Sequence, residues 1–513
     1  MVFLVLVSEF AIVFRFVPTV KATPESTVAT TTALFASFMP YQRKSFYVAG
    51  LHWQFYTDGT NMLYKTSADG ITWSNATTIR PCTDGREFSV WFNGTYVYYA
   101  FSEGTDSNVV LGNTLYFRRG TPNGDGTITW SATEQTVKVA DANYAIWYPV
   151  VAPNSSGYPF IAYQYRITAS YIFSYVIKSS TNDGTWTTEW NTSLETWGYI
   201  YPSILPLTNN KMYAIYVSQT VYGKLWNGSA WGTEETISDY PLAEGPNFHS
   251  EAADGDNVYV AMLERITTAP IRDDIRFDYR TTGHIWGTDE IVQASVRASS
   301  APTITVDPVT GNIYCWWAGS PTTNHVFYKK RVSTWDSSPT DWIDESTDGL
   351  TSNSRLVSWH KAPNVPRLIG LTYMTKTASP YNITFAYLSL AAEKSWNFAE
   401  SWKLNLYTLN WFTTEMWRLN LHNYFWSRSE IWQTLVHAPT WLLGETWRIN
   451  LHTLKWFPSE VWSLINIYGN VSSYGIYTTD IFPSFVFFMF ALSIVITFIC
   501  VFPVYRRRGH KNV

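Results

Sequence analysis

A chain of 513 residues is too long for one ordinary hydrophobic core, unless that core belongs to a repeat or propeller array. The net charge is −4 and only 15% of the residues are charged, so the composition gives no indication of nucleic-acid binding. Aromatic residues reach 17%, which favours β-structure. Of the three cysteines, Cys82 and Cys315 either pair or stay free, and no Cys or His spacing indicates zinc or another cofactor.

Residues 1–22 have the features of a secretion signal. An apolar run extends from Met1 to Val20, and Val20-Lys21-Ala22 offers a cleavage site with small residues at both ends. The run lacks a positively charged start, so an N-terminal anchor that stays attached is the alternative hypothesis.

A turn of Asp and Gly followed by Trp recurs three times in the next part of the chain. Gly after Asp suits a tight hairpin, because Gly accepts positive φ and Asp bonds its own backbone. The pattern resembles the Asp-box (BNR repeat) of the sialidase-like β-propellers, and we assign these residues a structural role in turns rather than catalysis. They are Ser67, Asp69, Gly70 and Trp73; Asp125, Gly126 and Trp130; and Asp183, Gly184 and Trp186.

The stretch from residue 33 to residue 390 divides into seven modules on one template, each with three strands and most with a Trp-bearing fourth strand. This predicts an all-β propeller of six or seven blades, since the sialidase family has six. Residues 33–38 are predicted to supply the missing strand of the last module. The first turn of each module is expected at Ala49-Gly50, Asn93-Gly94, 154–157, Asn209-Asn210, 254–256, Thr310-Gly311 and Pro363-Asn364.

The resemblance implies a site where loops enter the first strand of each blade. In sialidases three arginines grip a carboxylate there, beside a Tyr–Glu nucleophile pair and an Asp acid. The family's Arg-Ile-Pro motif is absent, and Gln42-Arg43-Lys44-Ser45 is the nearest basic cluster. The candidates are a trio of Arg86, Arg297 and Arg355, a pair of Tyr201 and Glu251, and Asp141, with Glu87, Tyr144 and His249 in equivalent loops. The alternative is that these are solvated loop residues and polar groups that bind glycans.

Residues 396–465 hold five repeats of 15 residues. Each repeat has a Trp, a Glu four residues later and a second Trp two residues after that. Two Trp six residues apart share no face of a helix, whereas the segments after the second Trp alternate as strands do. We therefore predict a β stalk, in which the five Glu either form a ligand ladder or bond turn amides. The Trp pairs start at Trp396, Trp411, Trp426, Trp441 and Trp456.

The C-terminal end predicts a membrane anchor. Residues 466–480 have the composition of a flexible linker, and residues 481–505 carry no charge, which is long enough for a transmembrane helix. The basic tail 506–513 is then cytoplasmic, and the rest of the chain is extracellular. Candidate N-glycosylation sequons agree with this topology. They are Asn75, Asn93, Asn154, Asn191, Asn227, Asn382 and Asn470.

Three functions fit this organisation. The first is a membrane-anchored, cell-surface propeller that binds glycans or neighbouring surface proteins without catalysis. The second is an exo-acting glycoside hydrolase of the sialidase type. The third is a structural component of the cell envelope, which predicts no binding pocket. Convergence of three arginines above a Tyr–Glu pair is the feature that distinguishes the second from the first.

Overall fold

The computed structural model describes residues 25–390 apart from 106–107, 132, 168–170, 187–191, 194–199, 218–219, 239–248, 267–269, 282 and 284; beyond residue 390 it describes only 435–437, 450–452, 454–455 and 461–462. Residues 25–390 form seven antiparallel sheets of four main strands each, and the described residues contain no α-helix. This architecture is a seven-bladed β-propeller. The all-β propeller prediction is confirmed, with seven blades rather than six.

The four strands of a blade follow one another in the chain. Blade 1 comprises Ser45–Val48, Leu51–Thr57, Asn61–Ser67 and Thr77–Pro81, and blade 2 comprises Phe88–Phe92, Val97–Ser102, Thr114–Pro122 and Gln135–Val139. Blade 3 comprises Tyr144–Pro153, Pro159–Ile167, Tyr171–Lys178 and Thr192–Ser193. Blade 4 comprises Ile200–Pro206, Met212–Val217, Val221–Trp226 and Trp231–Thr236. Blades 5 and 6 comprise His249–Asp254, Asn257–Ile266, Arg272–Arg280 and Glu290–Val296; and Thr303–Val306, Ile313–Ala318, His325–Arg331 and Thr340–Asp344. A 3-10 helix, Gly85–Glu87, precedes blade 2, and a short strand, Ile128–Trp130, pairs with its third strand.

Blade 7 is completed by the N-terminal strand. Its first three strands are Val357–Ser358, Leu368–Thr375 and Tyr381–Ser389, and Glu25–Thr31 pairs antiparallel with the last of these. The ring is therefore closed by residues 25–31 and not by residues 33–38. The reason is that residues 33–38 turn away from the sheet edge toward the ring centre, where Ala36 and Phe38 are buried.

The predicted first turn of every blade lies between the first and second strands of the structure. In two of these turns, Ala49-Gly50 and Asn209-Asn210, both residues have positive φ. Cys82 and Cys315 are both buried and free, so the alternative in which they form a disulfide does not hold.

The ring centre is filled by residues 36–44, which we name the axial segment. These residues are buried, and the side chains of Gln42, Arg43 and Lys44 bond the first strands of surrounding blades. Gln42 Nε2 donates to the carbonyl oxygens of Arg86 and Pro149 at 3.1 and 3.0 Å. Lys44 donates to the carbonyl oxygen of Phe88, and burial lowers the pKa of its amine to about 7. The segment thus ties the first strands of blades 2 and 3 to the centre.

Arg43 does the same for blades 5, 6 and 7. Its guanidinium donates to Ser250 Oγ at 3.2 Å, to Thr303 Oγ1 at 3.3 Å and to the Ser358 carbonyl oxygen at 3.0 Å. It also donates to the Glu251 carbonyl oxygen. Burial lowers the pKa of Arg43 to about 10, which leaves the group charged at neutral pH. A buried cation surrounded by fixed acceptors holds three blades in register.

Adjacent blades are joined near their outer edges by tryptophans from the turns between third and fourth strands. Each packs on an aromatic ring of the preceding blade at 5.1–5.8 Å: Trp73 on Phe385, Trp186 on Phe117, Trp286 on Tyr213 and Trp335 on Phe277. Such aromatic pairs contribute about 0.5–1.5 kcal/mol each beyond their buried area. The recurring Trp therefore acts between blades at these four positions, whereas Trp130 packs on Tyr99 of its own blade.

Residues 394–513 form a second unit. In it Leu435–His437 pairs with Asn450–His452, and Leu454–Lys455 pairs with Val461–Trp462. Val436 pairs with Leu451, which lies one 15-residue repeat further along the chain. Among the described residues there is no helix long and apolar enough to cross a membrane. The predicted signal 1–22, linker 466–480, span 481–505 and tail 506–513 lie outside the described residues, as do most of the repeats.

Replacing Arg43 by Met is expected to lower the free energy of unfolding by about 3 kcal/mol, because buried acceptors of three blades lose their donor. Urea unfolding followed by tryptophan fluorescence measures the loss. Arg297→Met is the control: its side chain is exposed, so its change should stay within about 0.5 kcal/mol. Equal midpoints for the two variants would contradict the role of Arg43.

A carboxyl group at the ring closure predicts a pH-dependent stability. Glu345 is buried and accepts a hydrogen bond from the Tyr373 hydroxyl at 2.7 Å. Burial, together with the neighbouring Glu25 and Asp348 carboxyls, raises the pKa of Glu345 to about 8. The stability that the protonated group contributes is complete below about pH 4 and is lost as pH rises toward 8. The melting temperature should therefore fall over this range, and less steeply in Glu345→Gln; parallel curves would exclude this role.

Candidate functional site

The loops that enter the first strands meet the axial segment at one end of the ring, which we call the mouth. Eight residues interact there, and we call them the mouth cluster. They come from five blades and their entry loops, from the axial segment, and from Phe35 just before that segment. They are Phe35, Tyr41, Arg86, Tyr148, Tyr201, His249, Glu251 and Arg355.

Arg86 is held in place by the 3-10 helix before blade 2. Asp84 caps this helix by accepting from the Arg86 backbone N–H, and its carboxylate also accepts from Arg86 Nε at 3.0 Å and Nη2 at 2.8 Å. Nη2 further donates to Thr105 Oγ1 at 3.3 Å. Arg86 is therefore a buried cation whose charge is largely compensated by Asp84.

Arg355 is the less compensated of the two arginines. Its guanidinium lies 4.4 Å from the centre of the Phe35 ring. The guanidinium of Arg86 lies 3.9 Å from the centre of the same ring. Nε donates to the Leu34 carbonyl oxygen, and in the described part of the chain no carboxylate forms a salt bridge with Arg355. Burial and then the charge of Arg86 lower the pKa of Arg355 to about 10, so it stays charged at neutral pH.

Two tyrosines beside the axis have strained backbones. Tyr148 in blade 3 and Tyr201 in blade 4 have φ of 52° and 53°, each at a β-bulge in a first strand. Bulky residues rarely adopt positive φ, and the following prolines restrict the backbone further. The two rings lie 5.5 Å apart. Strain of this kind persists only where surrounding contacts enforce it, and it is concentrated at functional sites.

Tyr41 and His249 connect these tyrosines to Glu251. The Tyr41 ring stacks on the His249 imidazole at 4.7 Å and 5°. His249 Nδ1 is 3.1 Å from Glu251 Oε2, and Nε2 is 3.0 Å from the Tyr201 carbonyl oxygen. The Tyr41 hydroxyl is buried and has no hydrogen-bond partner among the described residues. Burial, helped by Tyr201, Tyr148 and Glu251, raises the pKa of Tyr41 well above its usual value.

The structure brings together only some of the residues chosen from the sequence. Arg86 and Arg355 share Phe35, and Tyr201 and Glu251 are joined through His249. Arg297 is exposed and donates to Thr323 Oγ1 at 2.7 Å.

Asp141 is exposed and accepts from the Tyr165 hydroxyl at 3.0 Å, beside Tyr144, whose ring stacks on Tyr165. The Glu87 carboxylate accepts from the Thr83 and Gly104 backbone N–H groups. Among the described residues no three His, Cys, Asp or Glu side chains converge as metal ligands.

Phe35, Tyr41 and Tyr148 were not selected from the sequence. The sequence has four Tyr-Pro dipeptides, and two of them, Tyr148-Pro149 and Tyr201-Pro202, fall at equivalent positions in the first strands of two modules; this shared position is the signal for the strained pair. Phe35 and Tyr41 carry no such signal, because the segment around the axis has no counterpart in other blades.

The Asp-box residues lie between third and fourth strands, where they shape turns. The Asp69 carboxylate accepts from the backbone N–H groups of Ile71 and Thr72 at 2.8 and 2.7 Å and from Ser67 Oγ at 2.9 Å. These bonds lower the pKa of Asp69 to about 2. Asp125 accepts from the Thr127 N–H at 2.9 Å in the same way.

The sequons differ in accessibility. Asn75, Asn93 and Asn227 are exposed, whereas Asn154 and Asn382 are only 5% and 7% exposed. An attached glycan does not fit at the two buried positions without disturbing the turn at Asn154 or the strand at Asn382. Asn191 and Asn470 lie outside the described residues.

No protein-family model matches the sequence, and no curated protein matches it. Solved structures with a related chain path include an ulvan lyase, with a TM-score of 0.43 and 11% identity over 71% of this chain and 98% of that one. The NanB sialidase of Streptococcus pneumoniae has a TM-score of 0.36 and 11% identity over 72% and 71% of the two chains. A thermostable family-43 glycoside hydrolase has a TM-score of 0.32 and 12% identity over 52% and 98%. At these values the similarity gives no information about the ligand of this chain.

Proposed function

We propose that this protein is a cell-surface propeller that binds an anionic glycan at its mouth. The observation that carries the proposal is Arg355, a buried cation without a carboxylate partner in the described structure, placed next to a second cation, Arg86. Burying such a group is costly unless an anion compensates it. The planar guanidinium presents paired N–H donors, which suit a carboxylate or sulfate group.

The rest of the mouth cluster suits the neutral part of a sugar. The Tyr41 hydroxyl is a buried donor without a partner in the described chain, so it is available to a ligand hydroxyl. Tyr148 and Tyr201 are neighbours of Tyr41 and supply aromatic rings beside it. Few polar groups fixed among apolar rings are typical of small-molecule sites.

Exo-sialidase activity is the second hypothesis. It needs a third arginine and a Tyr hydroxyl in contact with a Glu. Arg297 instead bonds Thr323 at the surface, and Glu251 contacts the imidazole that holds the Tyr201 backbone. These contacts favour binding without turnover. A structural envelope protein, the third hypothesis, would bind no ligand at the mouth.

The cell-surface location is part of the proposal and is supported by the sequence: the signal-like residues 1–22, the uncharged stretch 481–505, the basic tail 506–513 and the exposed sequons. Protease added to intact cells is expected to remove the propeller and leave a small membrane-bound fragment carrying a C-terminal tag. Full protection of the chain in intact cells, but not in lysed cells, would place it inside and refute this topology.

Replacing Arg355 by Met is expected to weaken binding of an anionic glycan about 10- to 100-fold, because a charge-assisted hydrogen bond contributes about 1.5–3 kcal/mol. Calorimetry with the full chain in detergent measures this, using 3′-sialyllactose, trigalacturonate and a heparin oligosaccharide, with lactose as the neutral reference.

Arg297→Met is the matched control and should bind as the unmodified protein does. Equal affinities for Arg355→Met and Arg297→Met would refute the site, and equal affinity for the anionic glycans and lactose would refute the ligand class. Release of free sialic acid from 3′-sialyllactose would favour the hydrolase hypothesis instead.

A further inference from the structure

His249 has a hydrogen-bond acceptor at each of its two ring nitrogens. One is Glu251 Oε2 at 3.1 Å and the other is the Tyr201 carbonyl oxygen at 3.0 Å. A neutral imidazole has one N–H, and an ionised carboxylate and a carbonyl oxygen only accept. Both bonds therefore form only when the His249–Glu251 pair carries one proton more than a neutral imidazole beside a carboxylate.

We propose that this additional proton holds the mouth in its ligand-binding conformation, with His249 as the positioning residue. The inference rests on the proposed function, because it assumes that the mouth binds a ligand. His249 and Glu251 are 0% and 2% exposed, so water does not replace a lost bond at either side chain. The proton connects a carboxylate of blade 5 to the strained backbone of blade 4.

Loss of the proton sets two lone pairs against each other. Either Nδ1 then faces the Glu251 carboxylate without a hydrogen, or Nε2 faces the Tyr201 carbonyl oxygen without one. Tyr201 has φ of 53° and needs its contacts to keep this conformation. Tyr41, whose unpartnered hydroxyl faces the same site, lies on the imidazole and moves with it. Ligand affinity is therefore expected to fall as pH rises.

Other titratable and charged groups also face the His249–Glu251 pair. Tyr41, Tyr148 and Tyr201 face it from the axial segment and blades 3 and 4, and the pKa of Tyr41 is raised far above neutrality. Arg43 donates to the Glu251 carbonyl oxygen, and its pKa of about 10 keeps it charged. Arg86 is a neighbour of Tyr41 on the other side and is paired with Asp84.

Glu251→Gln tests the proton directly. The Gln amide donates to Nδ1, so a neutral His249 with its hydrogen on Nε2 makes both bonds without an additional proton. For 3′-sialyllactose and the full chain, we expect affinity to fall about tenfold or more between pH 5.5 and 8.5, since a buried unmade hydrogen bond is costly. In Glu251→Gln the ratio of the two affinities should be close to one.

The control is His325→Gln, which removes another histidine paired with an acidic residue, Asp341, far from the mouth cluster in blade 6. It should keep the pH ratio of the unmodified protein. If Glu251→Gln and the unmodified protein have the same ratio, or if binding is independent of pH in both, the role of the proton is refuted.

A measurement without ligand separates this inference from the proposed function. In spectra of the full chain with ¹³C-labelled histidine, the signal of His249, one of nine histidines, should shift between pH 5.5 and 8.5. That signal should be missing in His249→Phe, which keeps a ring under Tyr41, and should be constant in Glu251→Gln. If this pattern is seen but no glycan binds, the proposed function is refuted and the additional proton of the His249–Glu251 pair is still supported. If glycan binds but the His249 signal stays constant, the role of the additional proton is refuted. If a variant does not fold, the unmodified protein alone still allows this refutation, because a protein that binds glycan and has no histidine signal that shifts with pH contradicts the role of the proton.

Discussion

The guanidinium of Arg43 is the contact on which this ring depends. A propeller of separate blades has a hole on its axis, and the first strands facing that hole need partners for their polar groups. Here the chain itself fills the hole. Arg43 bonds the first strands of blades 5, 6 and 7, while Gln42 and Lys44 bond those of blades 2 and 3. The buried charge, with its pKa lowered to about 10, is retained because removing it leaves several acceptors unpaired at once.

The same segment determines where a site is found. Immediately before Gln42 and Arg43, the chain passes the open end of the ring and leaves Phe35 and Tyr41 among loops from five blades. Filling the axis thus places the buried side chains of the mouth cluster, among them Tyr41, His249 and Arg355, where an unfilled propeller would have a central channel. The interblade tryptophans hold the blades at their outer edges, so the loops around this floor are carried by a closed and fixed frame. Sites built on such frames are positioned more accurately than sites on free loops.

The repeat was readable from the sequence, whereas the parts that occur once were not. Seven Gly- and Asn-rich turns marked seven modules, because every blade needs the same hairpin at its first corner, while the sialidase resemblance left six blades as the alternative. The strand that closes the ring was assigned eight residues too late: Glu25–Thr31 has no Trp or turn that marks it, and residues 33–38 are more apolar. Arg86 and Arg355 could be selected because loops before first strands share one end. Tyr41 could not, since its position follows from the path of a segment with no equivalent in other blades.

The resemblance of the turns to those of sialidases is also informative where it fails. Asp69 and Asp125 shape turns as such residues should, yet the arginine nearest the family's first motif, Arg43, is turned into the axis and bonds protein acceptors. The turn residues shape the corners of some blades, and their contacts are independent of any ligand. The ligand groups are a requirement of the site alone. This is why three Asp-Gly…Trp turns predict the fold well and carry no information about whether the mouth binds or cleaves, a question that only the contacts of Arg355, His249 and Glu251 address.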